Sequence, residues 1–209
     1  MNRSARAFVA GMVTGAALAF LAWAGVHFQR VRAARTQLYT SLADSPPMDF
    51  PDVRTLPTDV TPDPEWTFQD LAGKQHKLSD FHGEVVFLDF WATWCNDCAA
   101  EMGYIESLQR ELTGVPVVFA LVSAEDRNTV QNFVTMEHVT LPVYIALTKP
   151  PAALETYGLP TTYVLNSHGK LVYRHVGVAR WDSGASVKFL HSVAQSGGGL
   201  SAGGLAEAK

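Results

Sequence analysis

The middle of the chain alternates between runs of continuous apolar residues and segments in which apolar residues recur every three or four positions. Val85–Trp91 and Val115–Val122 are almost continuously apolar, which is typical of strands that are buried on both faces. Between these two runs, the spacing of the apolar residues predicts one face of a helix. The residues on that face are Cys98, Met102, Ile105, Leu108 and Leu112.

The segments on either side predict further elements of the same domain. In chain order they are a hairpin of Trp66–Asp70 and Gln75–Leu78, a helix over about residues 127–138, strands over Pro142–Leu147, Thr161–Leu165 and Leu171–Val176, and a closing helix over Ser183–Ala194. Turn residues join the paired strands, with Ala72-Gly73 in the hairpin and Asn166-Ser167-His168-Gly169 before the last strand. Because strands and helices alternate around buried strands, we predict an α/β fold with a mixed central sheet and helices on both faces.

Residues 1–35 form a separate region that is predicted to be a membrane anchor. The stretch Ala7–Phe28 contains no Asp, Glu, Lys or Arg, and as a helix it would span about 33 Å, enough for the hydrocarbon core of a bilayer. It is longer than the roughly 7–15 residues of a signal-peptide core, which favours an uncleaved N-terminal transmembrane helix. A cleaved signal peptide stays open, because Ala22-Trp23-Ala24 has the pattern of a cleavage site. Arginines flank the stretch on both sides, so the basic residues do not decide its orientation.

The rest of the chain divides by composition. Six of the 11 prolines fall between Pro46 and Pro64, and such a density prevents a regular helix and favours an extended backbone. We therefore assign residues 36–60 to a proline-rich linker and residues 61–195 to one compact domain. Residues 196–209 are rich in glycine and lack a periodic apolar face, and we expect them to be a disordered tail.

Composition limits the classes of function. An apolar fraction of 47% and a charged fraction of 17% in 209 residues permit one sizeable core. The net charge of −4 lacks the basic excess that phosphate neutralisation requires, so no nucleic-acid partner is expected. With Cys95 and Cys98 as the two cysteines, a multi-disulfide scaffold and a four-cysteine zinc site are excluded. The sequence contains no glycine-rich phosphate loop or dinucleotide fingerprint, so no cofactor is expected.

The candidate chemistry lies where the first buried strand meets the helix, in the segment Trp91-Ala92-Thr93-Trp94-Cys95-Asn96-Asp97-Cys98. Two cysteines three residues apart at the start of a helix are close enough to form a disulfide, and the free N–H groups there stabilise a thiolate. Cys95 precedes the periodic apolar face, whereas Cys98 lies on it. Cys95 is therefore predicted to be exposed and to attack, and Cys98 to be buried and to resolve the mixed disulfide.

Two other uses of the cysteine pair are less well supported. A purely structural disulfide would close a loop too short to constrain the unfolded chain much. A metal site would need two more ligands, and none of the seven histidines forms a ligand pair at helical or hairpin spacing, so no metal is expected. A redox-active pair is the interpretation that the sequence favours.

Several stretches of the domain resemble the signatures of one family. They are Leu78-Ser79-Asp80-Phe81 followed by Gly83, Phe90-Trp91-Ala92-Thr93-Trp94-Cys95, Glu101-Met102, and Pro160-Thr161-Thr162-Tyr163-Val164-Leu165. Most of Trp66–Ala194 resembles thioredoxin, and more closely the membrane-anchored thioredoxin-like proteins of bacteria that form the TlpA/ResA group. The resemblance implies a thioredoxin fold, a cis peptide bond between Leu159 and Pro160, and thiol–disulfide exchange outside the cytoplasm. It also implies a single-pass protein of the bacterial inner membrane with its domain in the periplasm.

The chain departs from that group's pattern around the second cysteine. Asp97 stands where the group commonly has proline, Ala99 where a basic residue is usual, and Gly103 where proline normally follows the Glu-Met pair. We expect four residues to tune the redox pair, and they are Asn96, Asp97, Trp94 and Glu101. Trp94 is expected to pack around the disulfide. For Glu101, the alternative is that it only stabilises the first turns of the helix.

Asp89 and Pro160 are the other candidate catalytic residues. Asp89 interrupts a buried run, where an unpaired carboxylate is unfavourable, and it corresponds to the buried aspartate of thioredoxin. We expect it to shuttle a proton for Cys98; the alternative is an inert, solvated carboxylate at a sheet edge. The resemblance implies that the Pro160 loop faces the disulfide and leaves the backbone of Leu159 free to pair with a substrate strand, so Leu159 and Thr161 are expected to bind substrate.

The sequence therefore predicts a membrane-tethered, extracytoplasmic thiol–disulfide oxidoreductase. Its expected partners are protein disulfides in the cell envelope, for example during cytochrome c or oxidase maturation, and a membrane thiol reductant that recharges it. The negative charge of Asp97 opposes thiolate formation at Cys95, which favours the reductase direction. A copper-delivery protein that binds Cu(I) through the same two thiolates is the alternative.

Overall fold

The computed structural model describes residues 59–197 continuously, together with Phe50 and a set of positions between residues 17 and 33. The chain divides into two units, Met1–Asp44 and Ser45–Lys209. In the first unit the described positions are helical. Within the described part of the chain, no helix combines the length and the apolar character needed to cross a membrane. The predicted anchor Ala7–Phe28 lies largely outside the described residues.

The second unit is built on one mixed sheet of seven strands. These are β1 (Thr67–Asp70), β2 (Gln75–Lys77), β3 (Val85–Trp91), β4 (Val117–Ser123), β5 (Val143–Ala146), β6 (Thr161–Leu165) and β7 (Leu171–Val176). Their order across the sheet is β2-β1-β5-β4-β3-β6-β7. β3, β4 and β5 are parallel to one another, whereas β6 pairs antiparallel with β3 and all the outer strands pair antiparallel with their neighbours.

Helices fill the connections between these strands. They are α1 (Asn96–Glu111), α2 (Arg127–Glu137) and α3 (Gly184–Gly197), with two short 3-10 helices at Leu78–Phe81 and Ala152–Leu154. The strands and helices predicted from the sequence are confirmed, with ends that differ by at most three residues. The predicted turns are confirmed as well, and Gly73 and Gly169 adopt the positive φ values of 93° and 73° that these turns require.

All three helices pack on the same face of the sheet. Their buried apolar residues, such as Cys98 in α1, Val130 in α2 and Phe189 in α3, share one apolar cluster with Val85 and Phe87 of β3. The prediction of helices on both faces is therefore wrong for the α-helices, and the helices on the other face are short 3-10 helices. The physical reason is the strand order, because two right-handed crossovers, β3–α1–β4 and β4–α2–β5, step across the sheet in the same direction and leave both helices on one side.

The opposite face of the sheet is covered by the two short 3-10 helices and by the hairpin region. Leu78 and Leu154 from these helices share a second apolar cluster with Leu88 and Phe90 of β3. β3 therefore contributes to both clusters, and all of its residues are buried. This explains why its sequence is a nearly continuous apolar run instead of an alternating one.

The predicted linker and the predicted tail also include described residues. Phe50 belongs to the predicted linker, and its ring stacks on Phe189 at a centroid distance of 4.5 Å and lies 5.0 Å from Tyr173. The linker therefore contacts the domain at this position. α3 continues through Ser196 and Gly197, so the first two residues of the predicted tail are helical, and residues 198–209 lie outside the described part.

Candidate active site

The two cysteines lie at the N-terminus of α1, directly after the loop that follows β3. Their Sγ atoms are 2.09 Å apart, in a disulfide whose Cα atoms are separated by 5.3 Å. Cys95 is the N-cap of α1, and its Sγ accepts a hydrogen bond from the backbone N–H of Cys98 at 3.1 Å. In the reduced protein this N–H and the other free N–H groups of the first turn would stabilise a thiolate on Cys95.

Cys95 is less accessible to solvent than the sequence predicts. It was expected to be exposed because it precedes the residues that form the apolar face of the helix. The exposed fraction of the residue is 7%, against 1% for Cys98, so the prediction of an exposed Cys95 is wrong for this oxidised form. The reason is local, because the disulfide and the Cys98 N–H hold the sulfur of Cys95 over the first turn of the helix. Cys95 nevertheless remains the more accessible member of the pair.

The neighbouring residues of the motif point outward. Asn96 and Asp97 are exposed in the first turn of α1. Trp94 is 71% exposed, so the expectation that it packs around the disulfide is wrong. Trp91, in contrast, is buried and packs against Phe133 at a centroid distance of 5.3 Å.

Asp89 is fully buried near the middle of β3. Its Oδ1 accepts a hydrogen bond from the Thr162 hydroxyl at 3.0 Å, and Thr162 is also its partner across the β3–β6 pair. Burial raises the pKa of Asp89 to about 8, although the Thr162 hydrogen bond acts in the opposite direction. The alternative of a solvated carboxylate at a sheet edge is therefore excluded.

Glu101 is also fully buried, one turn after Cys98 along α1. Its Oε2 accepts hydrogen bonds from the backbone N–H of Ala179 at 3.1 Å and from the indole N–H of Trp181 at 3.2 Å. Its Oε1 has no hydrogen-bond partner among the described residues. Burial, and to a lesser extent the negative charge of Asp89, raise the pKa of Glu101 well above its ordinary value. A role limited to the exposed first turn of a helix does not fit this burial.

The loop before β6 lies at the same edge of the sheet as the disulfide. The peptide bond between Leu159 and Pro160 is cis, as the family resemblance implies. Because Thr161 is the partner of Phe90 in the β3–β6 pair, Pro160 lies beside the end of β3. Thr161 is buried and its hydroxyl donates to the carbonyl of Gly158 at 2.7 Å, whereas Leu159 is half-buried.

Glu125 is a residue of this region that the sequence analysis missed. It follows β4, and its carboxyl group accepts hydrogen bonds from the backbone N–H and the hydroxyl of Thr93, two residues before Cys95. The position of Glu125 just after β4 could have identified it, because side chains just after the carboxyl ends of neighbouring parallel strands meet at one edge of a sheet.

The family model described as Redoxin matches residues 48–188 of this chain. The chain belongs to the Redoxin family. The disulfide, both buried carboxyl groups and the Pro160 loop all lie within the matched residues.

Individual relatives agree with this assignment. The thiol-disulfide oxidoreductase ResA of Bacillus thuringiensis is 38% identical over 114 residues, which are 52% of this chain and 64% of that protein. The thioredoxin-like protein YneN of Bacillus subtilis is 35% identical over 117 residues, or 54% of this chain and 69% of YneN. The matched part is thus slightly less than two thirds of the ResA protein's own length.

Solved structures show the same fold. The exposed lipoprotein thioredoxin Etrx1 of Streptococcus pneumoniae superimposes with a TM-score of 0.52 and 28% identity, covering 61% of this chain and 98% of Etrx1. A thiol:disulfide interchange protein of the thioredoxin family from Chlorobium tepidum gives a TM-score of 0.53 at 23% identity, covering 64% of this chain and 99% of that one. The predicted thioredoxin-like α/β fold is therefore confirmed.

Proposed function

We propose that this protein is a thiol–disulfide oxidoreductase that uses Cys95 and Cys98 as its redox pair. The observation that carries the proposal is the disulfide at the N-terminus of α1, in which Cys95 Sγ accepts the N–H of Cys98. A sulfur held in this position forms a stabilised thiolate when the pair is reduced. The ResA relative, described as a thiol-disulfide oxidoreductase, supports the same activity.

The exchange proceeds through a mixed disulfide. The Cys95 thiolate attacks one sulfur of a substrate disulfide, so that a Cys95–substrate bond forms while the substrate S–S bond breaks and its second sulfur leaves as a thiolate. The Cys98 thiolate then attacks Cys95 Sγ, which forms the intramolecular disulfide and releases the first substrate sulfur. The pair is oxidised by two electrons, the substrate is reduced by two, and the two protons of the cysteines pass to the substrate sulfurs.

Asp89 is proposed to carry a proton for Cys98 in the second step. A carboxyl group with a pKa of about 8 is poised to exchange a proton near neutral pH. Glu101 is proposed to tune the same redox pair, since it is buried one turn from Cys98. Pro160 is proposed to shape the loop beside the pair, where the backbone of the half-buried Leu159, next to Thr161, would pair with an extended substrate segment.

The reductase direction is the second part of the proposal. Asp97 places a carboxylate in the first turn of α1, where a negative charge opposes the thiolate and so stabilises the disulfide form of the pair. Asn96 and Trp94 are proposed to tune the pair from its exposed side. The cycle requires a dithiol reductant, which we propose to be a membrane protein that returns Cys95 and Cys98 to the thiol form.

The proposed location is the periplasmic side of the bacterial inner membrane. The apolar length of Ala7–Phe28 supports a membrane anchor within residues 1–35, followed by the linker of residues 36–60, the domain of residues 61–195 and the tail of residues 196–209. Etrx1 is described as an exposed lipoprotein, which fits activity outside the cytoplasm. The proposed substrates are disulfides of envelope proteins, with cytochrome c and oxidase maturation as examples.

Trapping the mixed disulfide tests this mechanism. Cys98→Ser should accumulate an adduct in which Cys95 is bonded to substrate, because the resolving thiol is missing, whereas Cys95→Ser should abolish exchange. Non-reducing electrophoresis with peptide mapping identifies the bonded cysteine. An adduct through Cys98 in the Cys95→Ser variant would reverse the two roles, and a Cu(I) titration of the reduced protein beside it tests the copper-delivery alternative.

A further inference from the structure

One contact joins the loop before Cys95 to the neighbouring strand. The Glu125 carboxyl group accepts a hydrogen bond from the Thr93 backbone N–H at 2.6 Å and another from the Thr93 hydroxyl at 2.8 Å. The Ser123 hydroxyl lies 3.2 Å from Glu125 Oε2 and also 3.2 Å from the Glu125 backbone N–H, which donates to it. We call Thr93, Ser123 and Glu125 the Thr93 clamp.

The Thr93 clamp ties together the carboxyl ends of two central strands. Ser123 is the partner of Trp91 in the parallel pair of β3 and β4 and is fully buried, so one end of the clamp is fixed in the sheet. The other end is the loop itself, in which the Cys95 N–H donates to the carbonyl of Ala92 at 3.1 Å. Thr93 is inside that turn, and the clamp therefore fixes the turn that precedes the N-cap.

We propose that Glu125 is a positioning residue that, through Thr93, holds Cys95 at the N-terminus of α1. This inference rests on the proposed function only for its activity readout. Without the clamp, the turn from Ala92 to Cys95 keeps its own backbone hydrogen bond but loses its attachment to β4. Cys95 Sγ then spends less time over the N–H groups of the first helical turn.

The direction in which the pKa of Cys95 changes distinguishes this positioning role from a simple charge effect. Moving the Cys95 thiol away from the helix N-terminus raises its pKa. Removal of a nearby negative charge lowers that pKa instead. Glu125→Gln removes both the charge and one acceptor oxygen, and Thr93→Val removes one hydrogen bond but leaves the charge. Positioning therefore predicts that both variants raise the pKa of Cys95, while a charge effect predicts a lowered pKa in Glu125→Gln and no change in Thr93→Val.

The chain contains a matched control for loss of a Glu–Thr contact. Glu106 Oε1 accepts hydrogen bonds from the Thr140 backbone N–H at 3.0 Å and from the Thr140 hydroxyl at 2.8 Å. Glu106 lies two helical turns beyond Cys98 on α1, about 12 Å along the axis. Thr140→Val therefore removes the same kind of hydroxyl contact away from the disulfide. Glu106→Gln removes a carboxylate charge there and keeps one oxygen that can accept both hydrogen bonds.

The experiment measures the rate of alkylation of Cys95 by iodoacetamide against pH, in the reduced full-length chain, with peptide mapping to separate Cys95 from Cys98. Glu125→Gln should raise the pKa by about half a unit, the size of one helix-terminus interaction, which leaves about threefold less thiolate at neutral pH. Thr93→Val should shift it in the same direction by less. Thr93→Ser, which keeps the hydroxyl, and both control variants should match the wild type.

Each other outcome overturns the inference. A lowered or unchanged pKa in Glu125→Gln contradicts positioning, and so does an equal rise in Glu106→Gln, which would indicate a general loss of structure. If Glu125→Gln does not fold, the pKa of Cys95 in Thr93→Val is compared with that in Thr93→Ser. A higher value in Thr93→Val supports the inference, and equal values overturn it.

The rate at which the protein reduces a protein disulfide is measured in parallel. In Glu125→Gln this rate should fall about threefold, as the thiolate fraction does. A wild type without this activity would refute the proposed function, while the alkylation profiles would still decide the role of Glu125.

Discussion

Asp89 and Glu101 place two carboxyl groups in the apolar interior, and they are held differently. Asp89 accepts one hydroxyl hydrogen bond from Thr162, whereas Glu101 accepts two N–H hydrogen bonds on one oxygen and none among the described residues on the other. For both groups burial is the largest cause of a raised pKa. At neutral pH the folded protein therefore favours the protonated form of these groups more than the unfolded chain does.

This difference makes stability depend on pH. The pKa of Asp89 is 3.8 in its ordinary state and about 8 in the folded protein, so the folded state retains a proton that the unfolded chain loses. The free energy of unfolding should fall as the pH rises from about 4 to 8, by up to about 1.4 kcal/mol per pH unit for one such carboxyl. Asp89→Asn should flatten this slope in urea unfolding of the oxidised protein.

Glu84→Gln is the control for that experiment, because Glu84 is an exposed glutamate directly before β3. It should keep the slope of the wild type. An Asp89→Asn variant with an unaltered slope would mean that Asp89 does not hold the proton in the folded state.

Asp97 leads to a prediction about redox potential. It is exposed in the first turn of α1, where its negative charge opposes the Cys95 thiolate. A less stabilised thiolate lowers the reduction potential, so we expect a value nearer that of thioredoxin, about −270 mV, than that of the oxidant DsbA, about −120 mV. Asp97→Asn should raise the potential in a glutathione or dithiothreitol titration.

Glu111→Gln, at the opposite end of the same helix, should leave the potential unchanged. A wild-type potential above about −180 mV, the value of protein disulfide isomerase, would contradict the reductase direction. An equal shift in both variants would show that net charge, and not position in the first turn, sets the potential.

β3 is the element that supports the candidate site. It lies between β4 and β6, takes part in both apolar clusters, and ends four residues before Cys95. The outer strand β7 differs, since it pairs on one side only within the sheet and is partly exposed. Stability should therefore depend strongly on β3 and weakly on the outer end of β7.

Two valine substitutions test this contrast. Val86 in β3 is 3% exposed and Val176 at the end of β7 is 51% exposed. Val86→Ala should lower the free energy of unfolding by about 2 kcal/mol, because it leaves a cavity between packed residues, whereas Val176→Ala should cost less than about 0.5 kcal/mol. Urea unfolding monitored by tryptophan fluorescence measures both. Equal losses would contradict the central role of β3.

The whole molecule combines the redox domain with an N-terminal region that we propose to be an anchor. If it is an anchor, the mature protein should retain its N-terminus and fractionate with membranes. Cys95, after reduction, should react with a membrane-impermeant thiol reagent added from the periplasmic side. A soluble form that begins near Gly25 would instead indicate cleavage after Ala22-Trp23-Ala24, and a protected Cys95 in intact spheroplasts would invert the topology.

Much of the fold was predictable because local patterns encode it. The apolar run of β3 and the regular spacing from Cys98 to Leu112 specify a buried strand and a helix from neighbouring residues alone. The covering of one face by all three helices was not predictable, because periodicity does not encode the order of strands in the sheet. That order depends on pairings between distant segments, such as β3 with β6.

The candidate site follows the same division. The cysteine pair and its place at the start of a helix are local features of the sequence. The burial of Glu101 depends on Ala179 and Trp181, which lie 78 and 80 residues further along the chain, and the contact of Glu125 with Thr93 spans 32 residues. Local sequence patterns do not encode such distant partners, so Glu101 was predicted as a site residue without its hydrogen bonds and Glu125 was not predicted.

The burial of Asp89 has a further consequence during synthesis of the chain. The ribosome makes β3 before either of its neighbours, and Thr162 follows Asp89 by 73 residues, which takes roughly 4–15 s at about 5–20 residues per second. A seven-residue apolar segment without a charge is prone to aggregate until the strands that pair with it have been synthesised. In the nascent chain Asp89 is ionised, and it is the one charge in this run. The same carboxyl group is therefore a charge that opposes aggregation in the unfinished chain, and it is buried against Thr162 only after β6 has paired with β3.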